Sequence, residues 1–157
     1  MASFVVDTHM TVNGFKLLAL APIKNMLSGK KRGRITSYGL SEAGYDVRIK
    51  QGVWLHPLKR FSLASTIEEF NIPNTLVGVV HDKSTWIRKG VMVGNSVVEP
   101  GWKGFLTLEL TYHKWWPIHI PAGSGIAQVL FSQLAEPASY AGKYQFQADN
   151  PVEAING

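Results

Sequence analysis

Short apolar runs, repeatedly interrupted by the 15 glycines and eight prolines, set the pattern of this 157-residue chain. That punctuation predicts strands rather than long helices. The runs fall at Tyr45–Lys50, Gly52–Leu55, Arg60–Ser65, Leu76–His81, Val91–Val93, Phe105–Tyr112, Ile118–Ile120 and Ile126–Ser132. Within Phe105–Tyr112 the alternation is clear. Leu106, Leu108, Leu110 and Tyr112 share one face, and Phe105, Thr107, Glu109 and Thr111 share the other. Two segments are helix candidates: one around Ile23–Leu27, and Lys83–Lys89 with Asp82 in the capping position. Many short strands separated by turn signals predict an all-β, closed or sandwiched architecture. No internal repeat or low-complexity segment interrupts it. The ends, residues 1–12 and 149–157, are expected to be least tied down.

Length and composition place these elements in one globular domain spanning residues 1–157: 45% hydrophobic, 17% charged and 11% aromatic residues suit a packed core. No apolar run reaches the length of a spanning helix. Lys16 followed by Leu17-Leu18-Ala19-Leu20-Ala21 has the outline of a signal peptide. The stretch is too short, however, and Asp7 stands where positive charge belongs. With no cysteine there are neither disulfides nor thiolate ligands, and a cytoplasmic protein is expected. The formal charge is +5, and Lys30-Lys31-Arg32-Gly33-Arg34 is the densest basic run. The run reads first as a solvated loop; no zinc-finger, helix-turn-helix or RNP pattern accompanies it, so as a partner a triphosphate-sized anion is expected rather than nucleic acid, and no membrane.

Several chemistries drop out. Zinc-dependent base deamination needs a His/Cys ligand set, and the cysteines are missing. The five histidines have no ligand-like spacing; His113 and His119, six apart across a turn at Pro117, read as structural. No P-loop, G-x-G-x-x-G or G-x-S-x-G element is present.

Three local patterns remain. In Asp82-Lys83-Ser84-Thr85-Trp86-Ile87-Arg88, two hydroxyls and two cations crowd together, and at a helix start they would converge on one anion. On its own the segment reads equally as a solvated helix start. Glu99-Pro100-Gly101-Trp102-Lys103-Gly104 forms a turn leading into the strand that carries Glu109. Glu109 lies between Leu108 and Leu110, where a carboxylate is costly unless paired. The residues leave open an ion-paired or rim-exposed Glu and a carboxylate placed to shuttle protons. Tyr140 and Lys143-Tyr144-Gln145-Phe146-Gln147 close the series.

In order and spacing these segments resemble the dCTP deaminase family of the dUTPase superfamily. Lys83–Arg88 is similar to its R-S-S-x-x-R element, and Glu99–Gly104 with Leu108-Glu109 to its D-P-G-W-x-G and strand L-E. Lys143, Tyr144 and Gln147 match K-Y-x-x-Q, and Ala43-Gly44-Tyr45-Asp46-Val47 is nearer the A-G-Y-D form of dUTPases. The resemblance covers about residues 36–148. It implies a distorted β-barrel or jelly roll with short helices, assembled as a homotrimer with active sites between subunits. Lys83, Ser84, Thr85 and Arg88 would hold the triphosphate of dCTP, and Glu99 the deoxyribose. Thr107, Leu108 and Glu109 would lie beside the base, with Glu109, Arg88 and Ser84 as the catalytic group. Tyr140, Lys143 and Gln147 would close over the phosphates. Mg²⁺ would ride on the triphosphate with no protein metal site, and dUTP or dTTP are further ligands in prospect.

The match departs from the family pattern at Lys83 for Arg, Thr85 for Ser, Glu99 for Asp and a shortened hairpin over Lys89–Val98. Three alternatives follow: a dUTPase, a bifunctional deaminase and dUTPase, or a non-catalytic nucleotide-binding regulator.

Overall fold

The computed structural model describes residues 10–156, and its sheets are built from antiparallel pairs. The largest sheet runs β2 (Lys30–Lys31), β3 (Tyr38–Leu40), β4 (Tyr45–Arg48), β12 (Gly125–Gln133), β7 (Leu76–Asp82) and β9 (Val97–Val98). A further strand, β1 (Thr11–Val12), lies along the end of β12, with Val12 opposite Phe131. A second sheet orders β6 (Phe61–Asn71), β10 (Lys103–Tyr112) and β8 (Val91–Val93). A third pairs β5 (Val53–Leu55) with β11 (Ile118–Ile120).

All three sheets send side chains into one core: Val80, Val129 and Phe131 from the first, Phe70, Leu108 and Leu110 from the second, Leu55 and Ile120 from the third. Each such side chain contributes about 1.5–3 kcal/mol on burial. The expected alternation of β10 holds on its leucine face, where Leu106, Leu108, Leu110 and Tyr112 are all buried. On the other face Phe105, Glu109 and Thr111 are half-buried. Thr107 is buried as well, because the C-terminal segment lies over it.

An irregularity between β6 and β10 interrupts that alternation. Phe105 pairs with Glu69 and Thr107 with Ser65, so Thr66, Ile67 and Glu68 stand opposite Leu106 alone. Thr66 Oγ1 satisfies the break, accepting the Leu106 N–H at 3.1 Å and donating to the Glu68 carbonyl at 2.8 Å. Glu68, itself buried, holds Arg48 through Nε at 2.8 Å. Such bulges bend a strand and redirect its side chains; here Leu106 and Thr107 border the same pocket.

Two helical expectations change. Ile23–Leu27 is not a helix. Pro22 is buried and its carbonyl accepts the Asn71 N–H, the Lys24 N–H donates to the Glu69 carbonyl, and Ile23 bridges to Phe70. The segment therefore touches β6 at Ile23 and then turns at Lys24–Asn25, where Asn25 takes a positive φ of 52°. Helix α1 (Gly14–Leu20) forms instead, buries Leu17 and stops at Ala21 in the left-handed conformation. Helix α2 (Ser84–Arg88) lies within the expected segment, but Asp82 does not cap it. The Asp82 carboxylate accepts the Val93 N–H at 2.6 Å instead. Of the two ends, residues 1–9 lie outside the described residues. Thr11–Val12 are paired in β1, and the tail carries contacts from Lys50 to Asp149 and from the Ile155 N–H to the Tyr144 hydroxyl. No helix among the described residues is long and apolar enough to cross a membrane.

Candidate active site

Glu109 reaches the surface because β10 carries it on the face opposite the leucines, across from Leu63 of β6. The hairpin between β8 and β9 folds down onto it. The Gly94 N–H donates to the Glu109 carbonyl at 2.8 Å, and the Ser96 hydroxyl makes a long, 3.4 Å hydrogen bond to Glu109 Oε2. The Val80 N–H donates to the Ser96 carbonyl, so the hairpin tip is clamped between β7 and β10. A side chain at position 94 would begin 3.0 Å from Glu109 Oε2 and so press on the carboxylate.

Beyond Glu109 opens a cavity of about 550 Å³, within the range of small-molecule sites. Glu99, Thr107, Glu109, Tyr140 and Gln147 all border it, with apolar walls from Phe61, Leu63 and Leu106. Glu99 is placed by a tight turn. The Trp102 N–H donates to the Glu99 carbonyl at 3.1 Å, with Pro100 and a positive-φ Gly101 between them. Trp102 is buried against Phe70, and its indole N–H donates to the Tyr144 carbonyl at 2.6 Å.

That bond is one of several that fasten the C-terminal segment over the cavity. The Tyr140 N–H donates to the Pro100 carbonyl at 2.8 Å, and the Tyr140 hydroxyl accepts the Tyr144 N–H. The Gln145 side chain donates to the carbonyls of Gly101 and Tyr140 and accepts the Lys103 N–H at 2.7 Å. Thr107 Oγ1 donates to Gln147 Oε1 at 3.4 Å and accepts the Val152 N–H at 3.0 Å. Val152, Glu153 and Ala154 complete the wall.

The remaining expected site residues lie elsewhere. The Leu108 side chain is in the core. Ser84, Thr85 and Arg88 are exposed on α2 and do not border the cavity. Lys83 is half-buried and ion-paired with Asp46 at 2.5 Å. The Lys143 ammonium, also outside the cavity, contacts the Ile155 carbonyl and sits 5.4 Å from the centre of the Tyr144 ring. The basic run Lys30–Arg34 projects from the β2–β3 hairpin, with Lys30 on Glu42. His119 stacks on Trp54 at 4.6 Å, and His113 bonds to Thr111. Ser96 and Gln145 carry no site role in the sequence pattern alone: neither belongs to a periodic run, and their partners lie 13 and up to 44 residues away.

The electrostatic character of the cavity is one-sided. Glu99, Glu109 and Glu153 border it, and no Lys or Arg among the described residues does. The arrangement offers a carboxylate beside a hydroxyl and an amide, under apolar cover: groups able to bind and exchange protons with a small polar ring.

Solved structures that share the fold are enzymes of deoxyuridine and deoxycytidine nucleotides. The 2'-deoxycytidine 5'-triphosphate deaminase of Agrobacterium tumefaciens superposes with a TM-score of 0.63 at 15% identity, covering 80% of this chain and 49% of that one. A mutant dUTPase from phage phi11 of S. aureus, which coordinates a structural Mg(II) ion, gives 0.56 at 16% identity over 76% of this chain and 92% of its own. These likenesses show the fold, one shared by dUTPases and a dCTP deaminase. The family follows from sequence. Residues 45–134 match the dCTP deaminase-like family model. The dCTP deaminase of Herpetosiphon aurantiacus is 35% identical, covering 80% of this chain and 86% of its own. That of Campylobacter curvus is 36% identical over 72% and 78%. The chain belongs to the dCTP deaminase-like family.

Proposed function

We propose that this chain hydrolyses dCTP to dUTP and ammonia without zinc, supplying dUTP, and through it dUMP, for thymidylate synthesis. The observation that carries this reading is Glu109: a half-buried carboxylate at the wall of an apolar-lined cavity, with Ser96 and Gly94 pressed against it. Glu109 takes a proton from water as the oxygen attacks C4 of the cytosine. It then delivers that proton to the exocyclic nitrogen, the C4–N bond breaks and ammonia leaves, while the remaining hydroxyl proton passes to N3, so that a C4 carbonyl is left behind. One carboxylate thus serves as base and then as acid. Fixed donors stabilise the tetrahedral intermediate.

The phosphates need cations that the cavity lacks. A triphosphate brought alone against Glu99, Glu109 and Glu153 would be repelled. We therefore assign Ser84, Thr85 and Arg88 of a second copy, in a homotrimer, to the triphosphate, with Lys83 at the foot of the same helix. Glu99 contacts the deoxyribose, Thr107 and the backbone of Leu108 flank the base, and Tyr140, Lys143 and Gln147 close the site. Mg²⁺ enters on the nucleotide. The phosphate oxygens are the hard donors that suit this ion. The enzyme works on the cytoplasmic nucleotide pool.

The test is incubation with dCTP or dUTP plus Mg²⁺, scoring ammonia and pyrophosphate separately. Ammonia from dCTP is expected, and pyrophosphate beside it identifies the bifunctional form. Pyrophosphate from dUTP with no ammonia from dCTP makes the chain a dUTPase, and binding without product makes it a regulator.

A further inference from the structure

The buried ion pair beneath α2 takes no part in the chemistry above. Lys83 Nζ lies 2.5 Å from Asp46 Oδ2, and the two side chains are 13% and 2% exposed. The other carboxylate oxygen accepts a hydrogen from Gln128 Nε2 at 3.1 Å. The same amide donates to Ser41 Oγ at 2.8 Å, and that hydroxyl accepts the Gly44 N–H at 3.2 Å. Both oxygens of Asp46 are therefore engaged, and the charge of Lys83 is consumed inside the protein. For Lys83 to reach a phosphate it would have to leave a buried carboxylate unpaired, which is strongly unfavourable.

A helix of five residues has no stability of its own, so its placement comes from tertiary ties. α2 has three. Lys83 is held by Asp46 at its start, the Trp86 indole N–H donates to the Gly125 carbonyl at 2.7 Å in its middle, and Lys114 Nζ donates to the Arg88 carbonyl at 2.9 Å at its end. Asp46 sits on β4 directly opposite Gln128 of β12, so the first tie anchors α2 to the centre of the largest sheet.

We propose that Asp46 is a positioning residue, acting through Lys83 to fix where Ser84, Thr85 and Arg88 stand, and that Lys83 is not a phosphate ligand. The proposal rests on the assignment of α2 to the triphosphate. Asp46→Asn, Lys83→Met and the double variant are compared for kcat, KM and Mg–dCTP affinity, alongside thermal midpoints. Each single change is expected to lower kcat/KM about tenfold or more, with the double variant no worse than the poorer single, because both remove the same tie. Lys83→Arg, which keeps a cation within reach of Asp46, restores most of the loss.

A phosphate-binding Lys83 gives the opposite sign: Asp46→Asn frees the ammonium and leaves dCTP affinity unchanged or tighter, which overturns the proposal. So do variants with lowered thermal midpoints but wild-type kcat/KM well below them. If the singles do not fold, the uncharged double variant decides, since it leaves no orphaned charge; wild-type kcat/KM there overturns it. If the wild type binds dCTP but releases no ammonia, the deaminase reading fails, while the affinities still decide the role of Asp46.

Discussion

Gly104→Ala tests whether the C-terminal segment is a separable clasp on the active site. Gly104 has φ +135°, and a Cβ there would fall 2.6 Å from the Gln147 nitrogen and 2.8 Å from its oxygen. These are backbone atoms, so the clash is relieved only if the segment lifts. Lifting it breaks the Phe105 N–H bond to the Gln147 carbonyl and the Phe146 N–H bond to the Lys103 carbonyl. Two such bonds contribute about 2 kcal/mol net, and holding alanine at that φ costs about 1 kcal/mol or more. About 3 kcal/mol shifts the balance of docked and undocked segment roughly 150-fold. The core strands do not depend on these bonds, so the thermal midpoint should fall by only a few degrees. Hydrogen exchange at Phe105 and Phe146 should accelerate by about two orders of magnitude, and KM for dCTP should rise as Tyr140 and Gln147 lose their places. Unchanged exchange at these two amides, with the loss appearing as a large fall in global stability, would refute the idea of a detachable clasp.

Four further outcomes are expected. Glu109→Gln should lower kcat by about 10²–10⁴-fold and leave dCTP affinity within about tenfold, checked by ammonia release beside calorimetry. On the proposed assignment of Arg88 to the triphosphate, Arg88→Ala should weaken affinity by removing a phosphate contact and lower kcat as well, because the same contact orients the reacting base. Trp102→Phe keeps the packing on Phe70 but removes the donor to the Tyr144 carbonyl. About 1 kcal/mol of docking should be lost, read as faster proteolysis after Lys143. Burial raises the Tyr45 phenol above its ordinary value of 10.0, helped by the nearby Glu68 and opposed by the Leu27 N–H bond. The unfolded chain therefore ionises first: this contribution is complete below about pH 10 and declines as pH rises beyond it. Tyr45→Phe should cost about 1 kcal/mol at neutral pH through the lost bond to Leu27, and flatten the alkaline decline in denaturant titrations.

The sheet strands were legible wherever burial alternates with exposure or a run is wholly apolar. Hence β10 could be read almost to its ends, and β8 and β11 to the residue. β6 was cut short at Ser65 because its bulge at Thr66–Glu68 buries polar side chains, which local pattern reads as a strand ending. α1 was missed because its cluster of Leu17, Leu18 and Leu20 resembles a signal segment, and only tertiary packing shows that Leu17 is the buried one. The cavity residues Glu99, Thr107, Glu109, Tyr140 and Gln147 were named through family motifs, while their convergence depends on contacts about 40 residues apart. Asp46 was noted only as a motif letter; nothing local signals that its partner is Lys83, 37 positions on.

A cavity bordered by Glu99, Glu109 and Glu153, with no cation among its described neighbours, has a kinetic consequence. An isolated subunit, freshly made or thinned out in solution, would turn polyanionic nucleotides away instead of drawing on the pool. On the proposed assignment of the phosphate cations to a second copy, specific activity should then climb with protein concentration until neighbours are saturated.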